Sequence, residues 1–173
     1  MNVLITGGSG LIAGRLCEYI KKIHNVTIVS RSKVNPIENV KTLVANKIDS
    51  SILSSQDIIV HTAGPNHHHC EDVIIREKYL KETKILIDNA SRSGIKKFIF
   101  TSSTRVYGKF PTGNIDEESD TLIEDNYSLV KKEIEDYLEQ VPSNLERYSL
   151  RISNSYGYPT IKEAECWSLV IMY

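Results

Sequence analysis

Residues 2–16, NVLITGGSGLIAGRL, place an apolar run directly before three glycines in four positions, then a stretch with helical spacing. A chain in that order must leave a strand through a sharp bend and enter a helix, because glycine takes the left-handed backbone of such a bend without steric cost. Gly7, Gly10 and Ala13 form G-x-x-G-x-x-A across the bend. Gly7 permits the turn, Gly10 lets a pyrophosphate approach the backbone, and Ala13 lets the helix lie close on the sheet. The helix N-terminus adds unpaired N–H groups and a partial positive charge at the same point. The bend is a candidate dinucleotide phosphate site, in the strand-to-helix context that this motif requires.

Further apolar runs follow at Val26-Thr27-Ile28-Val29, Thr42-Leu43-Val44, Ile58-Ile59-Val60, Phe98-Ile99-Phe100 and Tyr148-Ser149-Leu150. With Val3-Leu4-Ile5 they predict six buried strands. Between them lie helical stretches. In residues 72–93, Ile75, Tyr79, Thr83, Leu86, Ile87 and Ala90 share a face before Gly94 supplies a stop. Strands alternating with helices predict an α/β fold: a doubly wound parallel sheet, Rossmann-like, with helices on both faces in three α/β/α layers.

A length of 173 residues allows one ordinary domain, and 21 basic against 22 acidic side chains leave no field to draw in nucleic acid or an anionic membrane. Any phosphate site must be local. Cys17, Cys70 and Cys166 have neither disulfide-framework nor zinc-site spacing, which fits a reducing cytoplasm. No apolar run approaches a membrane span, and because residue 2 already opens an apolar strand pattern, no signal segment is expected. The last residues, TIKEAECWSLVIMY, end on an apolar stretch without a stop signal. The expected organisation is a dinucleotide-binding domain over 1–160 and, over 161–173, the start of a truncated C-terminal segment.

The second strand runs into VTIVSRSK, with Arg31 where a fold that takes NAD usually has an acid for the ribose 2′-hydroxyl. A basic residue there accommodates a 2′-phosphate, so NADP(H) is expected ahead of NAD(H).

Tyr127 and Lys131 in YSLVK are four apart and share a helix face, on a helix expected to about Gln140 with Asp125 or Asn126 as cap. A second pair, Tyr158 and Lys162, is interrupted by Pro159, which disfavours helical geometry at Tyr158. The fifth strand ends FIFTSSTRVYG, and Ser103 would emerge from it where the carboxyl ends of parallel strands form a ligand crevice. Ser103, Tyr127 and Lys131 make a candidate triad. The neighbouring ammonium and an oxidised nicotinamide ring are expected to favour the phenolate of Tyr127, making it an acid/base while Ser103 holds the substrate oxygen.

Five motifs in order, TGGSGLIAG, DIIVHTAG, FIFTSSTRVYG, YSLVK and LRISNSYGYP, resemble the extended short-chain dehydrogenase/reductase family, the NAD(P)-dependent epimerases and dehydratases of nucleotide sugars. The resemblance implies cofactor contacts from Gly7, Ser9, Gly10, Leu11, Ile12, Arg31 and Ala63, with Tyr127 and Lys131 also on the cofactor and Asn154 on its nicotinamide side. It implies catalysis by Ser103, Tyr127 and Lys131, a nucleotide-sugar substrate, and a homodimer paired through the helices near 72–93 and 127–140. Ala13 replaces the usual third glycine, Asn46-Lys47 stand at the adenine position, and Tyr79 replaces an asparagine. Family members are also longer, their remainder forming a small domain on the sugar nucleotide.

Other readings compete. HHHCE, residues 67–71, could bind a metal, but consecutive histidines on a loop seldom aim at one centre, and no metal site is assigned. His61 reads as a packed strand-end histidine. Arg105 and Tyr107 line the sugar side or close their loop. Function divides between a nucleotide-sugar epimerase, dehydratase or 4-keto reductase, a noncatalytic NADP-binding sensor, and an inactive interaction domain.

Overall fold

The computed structural model describes residues 1–141 and 144–155. Its strands are β1 (Asn2–Thr6), β2 (Asn25–Ser30), β3 (Val40–Val44), β4 (Ile58–His61), β5 (Lys97–Ser103) and β6 (Glu146–Ile152). They pair in parallel in the order β3-β2-β1-β4-β5-β6. Each apolar run singled out in the sequence lies inside one strand, but the expectation of six buried strands is corrected: β3 and β6, at the sheet edges, contain no buried residue because each has a neighbour on one side only. The helices among the described residues are α1 (Leu11–Ile20), α2 (Ser50–Leu53), α3 (Val73–Arg92) and α4 (Asn126–Gln140), with 3₁₀ turns at His69–Glu71 and Thr104–Tyr107.

Alternation along the strands divides the core. Val3, Ile5, Val26 and Ile28 point to one face and pack with Ala13 and Cys17 of α1. Leu4, Ile59, Phe98 and Phe100 point to the other and pack with Leu53 of α2, Leu86 and Ile87 of α3, and Val130 and Ile134 of α4. Each of these large side chains contributes roughly 1.5–3 kcal/mol when fully buried. The three layers are present but unequal: α1 is the one described helix on its face. At the β6 end of that face Tyr148, paired with Ile99, and Leu150 are about half exposed.

Helix α3 buries Tyr79, Thr83, Leu86, Ile87 and Ala90 as its spacing predicts, and Gly94 follows its end at φ 73°. Ile75 is a correction: it sits in the first turn, ahead of the buried stripe, and is exposed. Periodicity gives the direction of a face but not where along its length a helix meets the sheet. Among the described residues no helix is long and apolar enough to cross a membrane.

Candidate active site

Parallel pairing brings the carboxyl ends of all six strands to one edge of the sheet, with the order of connection reversing between β1 and β4. β1 leaves that edge through Gly7 at φ 75°. A Cβ on Gly7 would stand 2.7 Å from the backbone N of Ala63 and 2.8 Å from its Cα, so only glycine fits against the segment leaving β4. Gly10 N–H donates to Gly7 O at 2.8 Å, and α1 starts at Gly10 with no side-chain cap and no acid in its first turn. The N–H groups of that turn are thus left for an anion, and the donors fit a dinucleotide pyrophosphate. Leu11 and Ile12 occupy the turn, with Ser9 exposed just before it. Gly8, which has no part in the sequence motif, donates its N–H to Val29 O at 3.0 Å; a Cβ there would lie 3.3 Å from Ile28 Cβ.

Thr6 and His61, opposite each other in β1 and β4, support this turn. Thr6 Oγ1 lies 2.8 Å from His61 Nδ1 and accepts the Ala63 N–H at 3.2 Å, while His61 Nε2 lies 3.2 Å from Thr83 Oγ1. Burial, followed by the nearby Lys131 charge, lowers the His61 pKa to about 3, so the ring is neutral. It is a packed strand-end histidine, as expected.

Lys131 and Tyr127 lie one turn apart on α4, with Ser103 at the end of β5. The Ser103 hydroxyl lies near enough to the Tyr127 phenol to favour its ionised form. Lys131 is 5% exposed, and Nζ donates to Thr101 O at 3.0 Å. The ammonium sits among three rings, 4.9 Å from the centroid of Phe100, 5.5 Å from Tyr127 and 5.7 Å from Tyr79. Such rings offer their negative faces to a cation. The Tyr79 hydroxyl is buried without a hydrogen-bond partner.

The titration of the pair differs from the expectation. Burial raises the Tyr127 phenol above its ordinary value; the nearby Ser103 hydroxyl and the Arg105 guanidinium pull it back only in part. In the chain by itself Tyr127 is therefore a protonated phenol. Burial also lowers Lys131 to about 8, against upward contributions from Cys70 and Glu135. The sequence supplies the lysine as a charge beside the phenol, but desolvation of both groups outweighs their spacing.

The structure thus brings Ser103 near Tyr127, Tyr127 to Lys131 and Gly7 to Ala63. Arg31 and Asn154 stand exposed beyond β2 and β6, at the same edge but without a hydrogen bond to these groups among the described residues. The Tyr158 and Lys162 pair lies outside the described residues. Sequence reasoning missed the ion pair of Arg105 Nε with Asp125 Oδ2, at 2.8 Å, which links the segment after β5 to the start of α4.

A parallel sheet with a glycine turn after β1 and a serine, tyrosine and lysine around β5 and α4 defines a domain of the extended short-chain dehydrogenase/reductase class. The chain belongs to the NAD dependent epimerase/dehydratase family, whose model matches residues 3–171. It is 30% identical to a dTDP-D-glucose 4,6-dehydratase of Mus musculus, over 90% of this chain and 50% of that protein. It is 28% identical to a UDP-glucose 4-epimerase of Bacillus subtilis, over 91% of this chain and 53% of that one. Among solved structures, MoeE5 in complex with UDP-glucuronic acid and NAD superposes with a TM-score of 0.76 at 21% identity, covering 87% of this chain and 54% of MoeE5. The chain spans about half the length of the curated relatives it matches.

Proposed function

We propose that this chain is the nicotinamide-dinucleotide-binding part of an enzyme that epimerises, dehydrates or reduces a nucleotide sugar, with Ser103, Tyr127 and Lys131 as its catalytic residues. The observation that carries the reading is the buried Lys131 ammonium over the Tyr127 ring, bonded to the Thr101 carbonyl near the end of β5 that presents Ser103, on the same sheet edge as the Gly7 turn. The relatives support the substrate class: they are named for a dTDP-sugar and a UDP-sugar.

Gly7, Gly10 and the first turn of α1 hold the pyrophosphate, with Ser9, Leu11 and Ile12 lining the turn, Ala63 beside it and Asn154 toward the nicotinamide. The chemistry that such a cofactor would supply, when bound, is hydride transfer to or from the sugar carbon that bears the reacting oxygen. Ser103 orients that oxygen by hydrogen bonding. Tyr127 gives a proton to the oxygen, or takes one from it in the reverse direction. Lys131 holds the ribose hydroxyls and, with its charge below Tyr127, stabilises the phenolate once it forms.

The end of β2 carries the finer choice of cofactor. Arg31 is exposed there with no acid beside it, which suits the 2′-phosphate of NADP(H); the family name and MoeE5 speak for NAD. Titration of both reduced cofactors by nicotinamide fluorescence tests both levels of the reading. Tighter binding of NADPH than NADH, reversed by Arg31→Asp, is expected. Equal constants overturn the NADP preference, and no binding of either overturns the dinucleotide site.

A further inference from the structure

Ser103 and Tyr127 come from different elements, and their hydroxyls can act on one substrate atom only if those elements keep their distance. On the serine side, Ser103 Oγ accepts the Arg105 N–H at 3.2 Å and caps the 3₁₀ turn Thr104–Tyr107. One acceptor pair of the hydroxyl is used there, leaving its proton and a second pair for Tyr127 and substrate. On the tyrosine side, Asp125 caps α4: Oδ1 accepts the Ser128 N–H at 2.7 Å, and Ser128 Oγ reaches back to the Asp125 N–H at 3.3 Å. The second carboxylate oxygen of Asp125 accepts from Arg105 Nε at 2.8 Å. Asp125 is mostly buried at 12% exposure, against 38% for Arg105.

One carboxylate therefore starts the helix two residues before Tyr127 and grips the residue whose backbone holds Ser103. We infer that Arg105 and Asp125 are positioning residues, a strut that sets the separation of the Ser103 and Tyr127 hydroxyls. The inference rests on the triad reading. A charged hydrogen bond in a half-buried setting fits this task, since it is stronger and geometrically stricter than a neutral one. Hydrogen bonds from Ser128 N–H and Arg105 to Asp125 hold its carboxyl below the usual carboxylate range despite burial, so the strut is charged at neutral pH.

The test uses Asp125→Asn and Arg105→Met in the full-length protein. Asparagine still caps a helix but loses the charge, and Arg105→Met keeps the backbone N–H to Ser103. Each variant should lose about tenfold to a hundredfold in kcat, the scale of a misplacement near 1 Å, with KM and cofactor affinity little changed. The double variant should be no worse than the poorer single. Crystal structures of the two variants should show the Ser103 and Tyr127 hydroxyls farther apart than in the wild type. Normal kcat in Asp125→Asn, losses that multiply in the double variant, or an unchanged separation would each overturn the strut. A wild-type protein that turns over no nucleotide sugar overturns the triad reading instead, and the crystallographic separation still decides the strut.

Discussion

Lys131 is a charge placed where a protein interior tolerates charge least, with one backbone carbonyl and three aromatic faces to replace its water. Its pKa falls from 10.5 to about 8 on folding. Below about 8 both folded and unfolded chains carry the proton, and the cost of burying the ammonium is fully present. Between about 8 and 10.5 the unfolded chain holds a proton that the folded chain has released, so stability rises with pH across that window. Lys131→Met removes the charge. It should be more stable than wild type near neutral pH and lose that advantage progressively between those values, as urea unfolding of both proteins across the range would show. A wild-type-minus-variant difference that stays flat contradicts the burial of a charged Lys131. The position of this lysine could be read from YSLVK; its direction of shift could not, because desolvation depends on Phe100 and Tyr79, which only the tertiary fold brings near.

At the scale of elements, the strand-to-helix bend carries most of what the sequence announces. Its residues are consecutive, and their demands are local: a positive φ at Gly7 and an uncapped start to α1. The close approach of Ala63, 57 residues from Thr6, adds a constraint that no local pattern contains. Gly7→Ala would meet both at once, because L side chains seldom adopt φ 75° and the new Cβ would meet immovable backbone. It should destabilise the domain by about 1–3 kcal/mol and abolish cofactor binding, read by thermal melting and fluorescence titration. Unchanged affinity in Gly7→Ala would mean that the turn does not cradle the cofactor. The start of α4 was legible only to within one residue. Asp125 wins over Asn126 because Ser128 completes a reciprocal cap with it. The Arg105 and Asp125 pair escaped the sequence altogether, since their 20-residue separation has no helical or strand period.

At the scale of the whole molecule, strand number, parallel order and layering were readable because buried β-branched runs between helices have few topological solutions. How much each layer covers was not, because cover depends on helix placement rather than periodicity. That leaves Val73, Ile74 and Ile85 of α3 and Leu129 of α4 exposed, Ile74 by 80%. We propose that these side chains form the homodimer interface, a burial that would remove them from water. Sedimentation at micromolar concentration should give a dimer, and Ile74→Glu a monomer; a wild-type monomer contradicts the interface. Whether Tyr127 moves the proton is decided by Tyr127→Phe in the full-length protein, with nucleotide-sugar turnover and cofactor affinity measured together. The hydroxyl alone is removed, so affinity should survive while turnover falls roughly a hundredfold to ten-thousandfold. Normal turnover in Tyr127→Phe would rule out Tyr127 as the proton donor and leave the chain as a dinucleotide-binding domain without an assigned acid/base.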